Sequence, residues 1–137
     1  MLREPLVSIV TPTYNMAKYL EETIQSVLSQ DYPHIEYLVM DAGSTDGTLE
    51  ILRKYEGRLR YVSEPDEGQA DAVNKGIRQT RGEIVAFLNA DDIYLPGAVR
   101  AAVEAFRQNP DSAVVYGQAY YTSQPGEIIR RYPTADY

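Results

Sequence analysis

The chain has 137 residues, a formal net charge of −7 at pH 7, one histidine and no cysteine. Its length fits a single domain over residues 1–137, which would bury roughly two-thirds of the surface of the unfolded chain. The negative charge argues against a nucleic-acid partner, because phosphate backbones are bound by clustered Lys and Arg side chains. The lack of cysteine and the single histidine exclude thiolate nucleophiles and zinc clusters. The lack of cysteine also fits a reducing compartment such as the cytoplasm.

Strand-like and helix-like patterns alternate along the sequence. Short apolar runs predict strands over residues 6–10, 35–40, 59–62, 84–88 and 113–121. Apolar residues at helical spacing predict helices over residues 20–28, 49–55, 70–77 and 99–106. Strands that alternate with helices are typical of βαβ units, so we predict an α/β, Rossmann-like fold with a mostly parallel central sheet and helices on both faces.

Turn residues set the expected ends of these elements. Thr11-Pro12 is expected to end the first strand, and Gly82 is expected to end the third helix. Pro96 fits the first turn of the fourth helix. Near the C-terminus, Gln124-Pro125-Gly126 is expected to turn the chain toward Ile128-Ile129.

The third predicted helix has two distinct sides. Its apolar side is formed by Ala70, Val73 and Ile77, which we expect to face the core. Asp71 and Lys75 fall on the opposite, polar side because they are four residues apart. Such a polar side is usually just the solvated face of an amphipathic helix.

Three polar clusters follow predicted strands, at residues 11–15, 41–47 and 89–92. The carboxyl ends of parallel strands meet at one edge of the sheet, where open α/β folds bind their ligands. The three clusters are therefore expected to converge on one crevice, although they are far apart in sequence.

The pair Asp91-Asp92 comes directly after a run that reads as a buried strand. Adjacent carboxylates repel each other, but a hard divalent cation such as Mg²⁺ or Mn²⁺ takes oxygen ligands from carboxylates and phosphates. The pair therefore indicates binding of a phosphorylated ligand through a metal. The alternative is a solvated loop that starts a helix, since Asp is common at that position.

Four segments in order resemble the N-terminal half of the family 2 inverting glycosyltransferases, which have the GT-A fold; they are residues 7–15, 41–48, 64–76 and 89–92. The resemblance implies transfer of a sugar, with inversion, from a nucleotide diphosphate sugar to an acceptor such as a polysaccharide or a lipid-linked glycan. It also implies a role in cell-envelope polysaccharide biosynthesis. A non-catalytic nucleotide-sugar binding module and an isolated inactive fragment remain as alternatives.

The resemblance assigns nucleotide-binding roles to several residues. Thr11, Pro12 and Tyr14 would line the base, with the Tyr14 ring in contact with it. Asp41 would contact the nucleoside. Many members of the family have a second Asp at the next position, where this chain has Ala42, so uridine, guanosine and thymidine donors all stay open.

The resemblance also assigns the metal and phosphate side of the site. Asp91 would contact the donor ribose or the metal shell, and Asp92 would coordinate Mn²⁺ or Mg²⁺ directly. Asp71 would face the donor, whereas Asp46 reads as a helix cap.

An inverting transferase also needs a general base, which this family carries in a later acidic segment. The acidic residues after Asp92 stand in no matching motif, so the catalytic base is unassigned. We expect the chain to be a donor-binding portion, truncated on the side of the acceptor and the base. It would have a membrane-associated or homo-oligomeric partner. We expect the chain itself in the cytoplasm, where it could lie peripherally at the inner face of the membrane.

Overall fold

The computed structural model describes residues 4–123 and 127–133, and it forms ten regular elements within them. In chain order they are β1 (Val7–Thr13), α1 (Ala17–Leu28), β2 (Ile35–Asp41), α2 (Thr48–Lys54), β3 (Arg60–Ser63), α3 (Gln69–Arg78), β4 (Ile84–Phe87), α4 (Ala98–Gln108), β5 (Tyr120–Thr122) and β6 (Ile128–Arg131). The predicted alternation of strands and helices is confirmed up to α4. No helix in this part of the chain is long and apolar enough to cross a membrane.

The central sheet is parallel and has the strand order β3-β2-β1-β4 among the described strands. β1 pairs with β2 over its whole length, up to Thr13 opposite Asp41. On its other side β1 pairs with β4 only as far as Val10 opposite Phe87. The predicted α/β, Rossmann-like fold with a mostly parallel sheet is therefore confirmed.

Helices cover both faces of this sheet, as predicted. On one face, apolar residues of α1, α2 and α4 pack with Ile9 and Val39 in the larger core. On the other face, Ala72 of α3 packs on Val10 and Leu38 in a smaller cluster. Because both of its faces are covered, β1 is buried along its whole length.

β1 does not end at Thr11-Pro12 but continues through Pro12 to Thr13. The reason lies in the ladder between β1 and β4. Its last bond runs from Leu88 N to Val10 O, while Thr13 O on the opposite side accepts Ala42 N. By this alternation the missing N–H of Pro12 falls on the β4 side, beyond the end of that ladder, so proline costs β1 no hydrogen bond.

The prediction that Ala70, Val73 and Ile77 of α3 face the core was wrong. Ala70 and Ile77 are exposed and Val73 is half-buried, whereas Ala72 and Gly76 face the sheet. A Cβ at Gly76 would lie 2.5 Å from Val10 Cγ1, so α3 approaches the sheet more closely than a larger residue permits. Small residues, and not the apolar stripe, therefore form the contact.

The strand over residues 84–88 was predicted to be buried, and the structure contradicts this in part. β4 lies at the edge of the described sheet, and its outward-facing side chains Val85 and Phe87 are 42% and 56% exposed. Ile84 and Ala86 on the other face are half-buried. α3 packs on β1 and β2 and leaves the face of β4 that carries Val85 and Phe87 open.

Two residues that were predicted to mark helix ends, Gly82 and Pro96, lie outside the helices. α3 ends at Arg78, before Gly82, whose missing side chain instead makes room for Ser8 of β1. α4 begins at Ala98 after Gly97, so Pro96 lies outside its first turn.

The predicted strand over residues 113–121 was largely wrong. Residues 113–119 form no regular structure, and β5 includes only Tyr120 and Tyr121 of the predicted range. β5 pairs with β6 in an exposed antiparallel hairpin. The predicted turn Gln124-Pro125-Gly126 lies outside the described residues.

Candidate functional site

A cleft of about 690 Å³ opens at the carboxyl edge of the sheet, a volume typical of sites for small molecules. Each of the three polar clusters contributes to its wall, through residues 12–14, Ala42 and residues 89–91. The segment that leads into α3 adds Pro65, Asp66, Gly68 and Gln69. The predicted convergence of the three clusters on one crevice is therefore confirmed.

Side chains tie the loops after β1 and β2 together beside this cleft. Asn15 has a left-handed backbone (φ 51°), and its Oδ1 accepts a hydrogen bond from Thr45 N at 2.9 Å. Asn15 N in turn donates to Ser44 Oγ at 2.8 Å. Asparagine tolerates this backbone conformation better than most residues. The sequence analysis had placed Asn15 only within the polar cluster of residues 11–15.

Asp46 connects the starts of two helices, although the N-cap positions of α1 and α2 are occupied by Met16 and Gly47 and not, as predicted, by Asp46. Its carboxylate accepts hydrogen bonds from Ala17 N of α1 and from Thr48 N of α2, at 3.0 and 3.1 Å. The Thr48 hydroxyl adds a third bond and is the main reason that the pKa of Asp46 lies below its usual value. Asp46 therefore has a structural role, because it joins the first residues of α1 and α2.

Asp41 lies beneath the loop and is only 2% exposed. Its carboxylate accepts hydrogen bonds from Gly43 N, from Ser44 N and Oγ, and from Ser63 Oγ, at 2.5–3.1 Å. These bonds fix the loop and join it to β3. Asp41 is not among the residues that line the cleft. Its contact with a nucleoside stays a prediction.

The two threonines of β1 differ in their surroundings. Thr11 is fully buried, and its hydroxyl is bonded to the Tyr37 hydroxyl at 2.8 Å. Thr13 lines the cleft and is 5% exposed, and its hydroxyl has no hydrogen-bond partner. Among the described residues, two buried side-chain polar atoms have no hydrogen-bond partner, the Thr13 hydroxyl and a carboxylate oxygen of Glu21. The Glu21 oxygen forms an ion pair with Lys54, so of these two atoms only the Thr13 hydroxyl is left without any partner. Sequence reasoning had chosen Thr11 and missed Thr13.

The remaining predicted nucleotide contacts fall in two places. Pro12 and Tyr14 line the cleft, and the Tyr14 side chain is 60% exposed and open to a ligand. Asp71 lies outside the cleft wall, where it accepts Glu67 N and pairs with Lys75, each at 3.0 Å. The Glu67 hydrogen bond, followed by Lys75, lowers the pKa of Asp71. Its predicted contact with the donor stays untested.

Only one member of the aspartate pair lines the cleft, because Asp92 is not part of its wall. Asp91 is part of the wall, next to Asn89, whose side chain accepts a hydrogen bond from Gln69 of α3. Partial burial, and then the charge of Asp91, raise the pKa of Asp92, while a hydrogen bond to Asn89 acts in the opposite direction. This pair carries repulsion that a cation would relieve, so its chemistry fits a divalent metal.

Within residues 4–123 and 127–133, no group of three or more His, Cys, Asp or Glu side chains is arranged to hold a metal ion. A metal at Asp91 and Asp92 would therefore need further oxygen ligands from elsewhere. Phosphate oxygens commonly complete such a shell.

Known proteins resemble this chain in sequence. A Bacillus subtilis protein named as the teichuronic acid biosynthesis glycosyltransferase TuaG is 46% identical over 93 residues, which are 65% of this chain and 37% of that protein. The chondroitin synthase of Escherichia coli is 35% identical over 130 residues, which are 93% of this chain and 19% of that protein. The chain thus spans well under half the length of these relatives.

Solved structures share the fold. The mannosyltransferase PcManGT from Pyrobaculum calidifontis, solved in complex with GDP-Man and Mn²⁺, superposes with a TM-score of 0.69 at 34% identity. That match covers 74% of this chain and 32% of the other. S. aureus TarS, solved in complex with UDP-GlcNAc, gives a TM-score of 0.72 at 26% identity and covers 85% of this chain and 40% of the other.

The family itself is identified by a sequence profile. The profile described as Glycosyl transferase family 2 matches residues 8–135, nearly the whole chain. The matched structures have the GT-A fold, in agreement with the parallel sheet and the cleft at its carboxyl edge. The chain belongs to glycosyltransferase family 2.

Proposed function

We propose that this chain binds a nucleotide diphosphate sugar in the cleft and forms the donor-binding part of a glycosyltransferase. The observation that carries the proposal is the cleft wall, which combines the Asp91 loop with the open ring of Tyr14. A nucleoside diphosphate offers both a ring that stacks and phosphates that bind a metal. Supporting evidence comes from the matched structures, which were solved with GDP-Man and Mn²⁺ and with UDP-GlcNAc.

The nucleoside would lie against the wall formed by Pro12, Tyr14 and Ala42. Pro12 and Ala42 offer apolar surface, and the Tyr14 ring can stack on a base. The unpartnered Thr13 hydroxyl is buried in the free protein, so a turn of the side chain toward the cleft would let it donate or accept one hydrogen bond with a polar edge of the ligand. A ligand that supplies this bond would remove the cost of a buried, unsatisfied group.

The diphosphate would lie by Asp91 and Asp92, which would hold Mn²⁺ or Mg²⁺. When bound, such a metal stabilises the negative charge that develops on the departing nucleoside diphosphate. The protein residues hold the donor in place and orient its sugar toward the open side of the cleft. We propose that transfer inverts the anomeric carbon and that the acceptor is a glycan or a lipid-linked glycan of a cell-envelope polysaccharide, as the relation to TuaG suggests.

Calorimetric titration with UDP, GDP and dTDP, each with and without Mn²⁺, tests this proposal. We expect one nucleotide to bind more tightly with Mn²⁺ than without it. Asp92→Asn should abolish the gain from Mn²⁺. Asp111→Asn is the matched control, because Asp111 is an exposed carboxylate in the turn after α4 and lies outside the loop that carries Asp91 and Asp92. Binding that is identical in the wild type and in Asp92→Asn would contradict the metal site, and no binding of any nucleotide would contradict the donor site.

A further inference from the structure

The loop between β4 and α4, residues 88–97, carries both aspartates and contains no helix or strand. Side chains from α1 and from the residues just after it hold much of its backbone by hydrogen bonds. Three of these side chains, Thr23, Ser26 and Gln30, contact the loop or the start of α4, and we call them the α1 tether. Thr23 and Ser26 are three residues apart on one side of α1, and Gln30 follows two residues after the helix ends.

Thr23 is the central member of the α1 tether. It is fully buried, and its hydroxyl lies 2.9 Å from Ala90 O and 2.7 Å from Asp92 O. A hydroxyl has one proton, so the two carbonyls share it. These carbonyls belong to the residues on either side of Asp91. Holding both fixes the direction of the peptide groups from which the two carboxylates project.

Ser26 and Gln30 extend the α1 tether toward α4. Ser26 Oγ accepts a hydrogen bond from Tyr94 N at 3.1 Å and donates one to Thr23 O at 2.7 Å. Gln30 donates to Leu95 O at 3.0 Å and accepts Val99 N of α4 at 3.1 Å. The loop thus receives from side chains the backbone hydrogen bonds that a ladder would otherwise supply.

We propose that the α1 tether positions Asp91 and Asp92 for the metal and diphosphate of the donor, with Thr23 as its main positioning residue. The inference rests on the proposed function of the aspartate pair. Two adjacent carboxylates would move apart on a free loop, whereas a metal needs them held in a fixed geometry. Thr23 touches neither the metal nor the donor; it acts only through the Ala90 and Asp92 carbonyls.

The test compares Thr23→Val, which keeps the shape of the side chain but removes the hydroxyl, with Thr23→Ser, which keeps the hydroxyl. For Thr23→Val we expect the nucleotide affinity in Mn²⁺ to fall roughly 10- to 100-fold, as for other residues that orient metal ligands. The affinity without Mn²⁺ should stay unchanged, and Thr23→Ser should restore the gain from Mn²⁺. The matched control is Thr80→Val, because the Thr80 hydroxyl also donates to a backbone carbonyl, Ile77 O at 2.8 Å, but this bond lies at the C-terminal end of α3 and not in the loop.

Equal loss of affinity with and without Mn²⁺ would overturn the inference, because it would indicate a general structural defect. If Thr23→Val does not fold, Ser26→Ala removes the acceptor for Tyr94 N at a half-buried position and should give a smaller loss of the same kind.

Hydrogen exchange of the Asp92 and Tyr94 amides without any ligand separates this inference from the proposed function. Faster exchange in Thr23→Val than in Thr80→Val would support the α1 tether, even if the wild type binds no nucleotide and the proposed function fails. Exchange rates equal to those of the wild type would overturn the α1 tether, even if nucleotide binding depends on Mn²⁺.

Discussion

The unpartnered hydroxyl of Thr13 leads to a prediction in which stability and binding change in opposite directions. Thr13 is 5% exposed, lines the cleft and lies at the carboxyl end of β1. Thr13→Val replaces the hydroxyl by a methyl group of nearly the same size. In the free protein this removes a buried polar group that has no partner, and in the complex it removes the hydrogen bond that we assign to the ligand.

The magnitudes follow from the two environments. A buried, unsatisfied polar group costs about 1–3 kcal/mol, so Thr13→Val should raise the free energy of unfolding by an amount at the lower end of that range. A neutral hydrogen bond contributes about 0.5–1.5 kcal/mol, so nucleotide affinity should fall roughly 2- to 12-fold.

Urea unfolding without ligand and calorimetric titration with the preferred nucleotide measure the two effects. The matched control is Thr11→Val on the same strand, whose hydroxyl is bonded to Tyr37. Removing that hydroxyl leaves the buried Tyr37 hydroxyl unpaired, so Thr11→Val should lower the free energy of unfolding by about 1–3 kcal/mol. If Thr13→Val destabilises the free protein as Thr11→Val does, or binds nucleotide as tightly as the wild type, the assignment of Thr13 to the ligand is wrong.

Three further predictions concern packing, charge and the cleft. Gly76→Ala should lower the free energy of unfolding by about 1–3 kcal/mol in a urea titration despite a better helix propensity, because its Cβ would lie 2.5 Å from Val10 Cγ1. Burial raises the pKa of Glu36, but hydrogen bonds from Arg81 N and the Ser8 hydroxyl hold it below the usual value overall. Its ionised form therefore stabilises the fold at pH values above the unfolded pKa of about 4.3. The stability lost in Glu36→Gln should be large at neutral pH and should vanish as the pH falls through the folded pKa. An equal loss at neutral pH and at a pH below the folded pKa would contradict this. Tyr14→Ala should weaken nucleotide binding roughly 5-fold or more in calorimetry without changing the melting temperature. An unchanged affinity would mean that the Tyr14 ring does not contact the nucleotide.

The order of elements and the place of the site could be predicted because both depend on local patterns. Apolar runs and turn residues mark the strands, and the parallel topology then brings residues 11–15, 41–47 and 89–92 to one edge. The face of α3 that meets the sheet could not be predicted in this way. The apolar stripe through Ile77 obeys helical spacing, yet the fold selects Ala72 and Gly76, because the distance between helix and sheet is a property of both elements.

The choice between Thr11 and Thr13 shows a similar limit. Side chains two residues apart on a strand point to the same side, so the sequence period assigns both threonines to one face of β1. What separates them is their depth in the layer beneath the helices. The Thr11 hydroxyl bonds to Tyr37 of β2, whereas the Thr13 hydroxyl has no hydrogen-bond partner in the described residues. That difference depends on where β2 and its loop run, and no residue of β1 encodes it.

The aspartates at the strand ends show how a chain can use one residue type for two purposes. Asp41 is followed by Gly43 and Ser44, whose donor groups turn back onto its carboxylate, so the loop itself satisfies the charge. Asp91 and Asp92 are followed by larger apolar residues, and their loop is fixed instead through its carbonyl groups by Thr23. Because Thr23 holds the loop by its backbone, the carboxylates of the pair stay available to a cation. If the carboxylates themselves held the loop, as at Asp41, they would not be available. A carboxylate at a strand end is therefore a better candidate for a metal ligand when another element of the fold holds its loop.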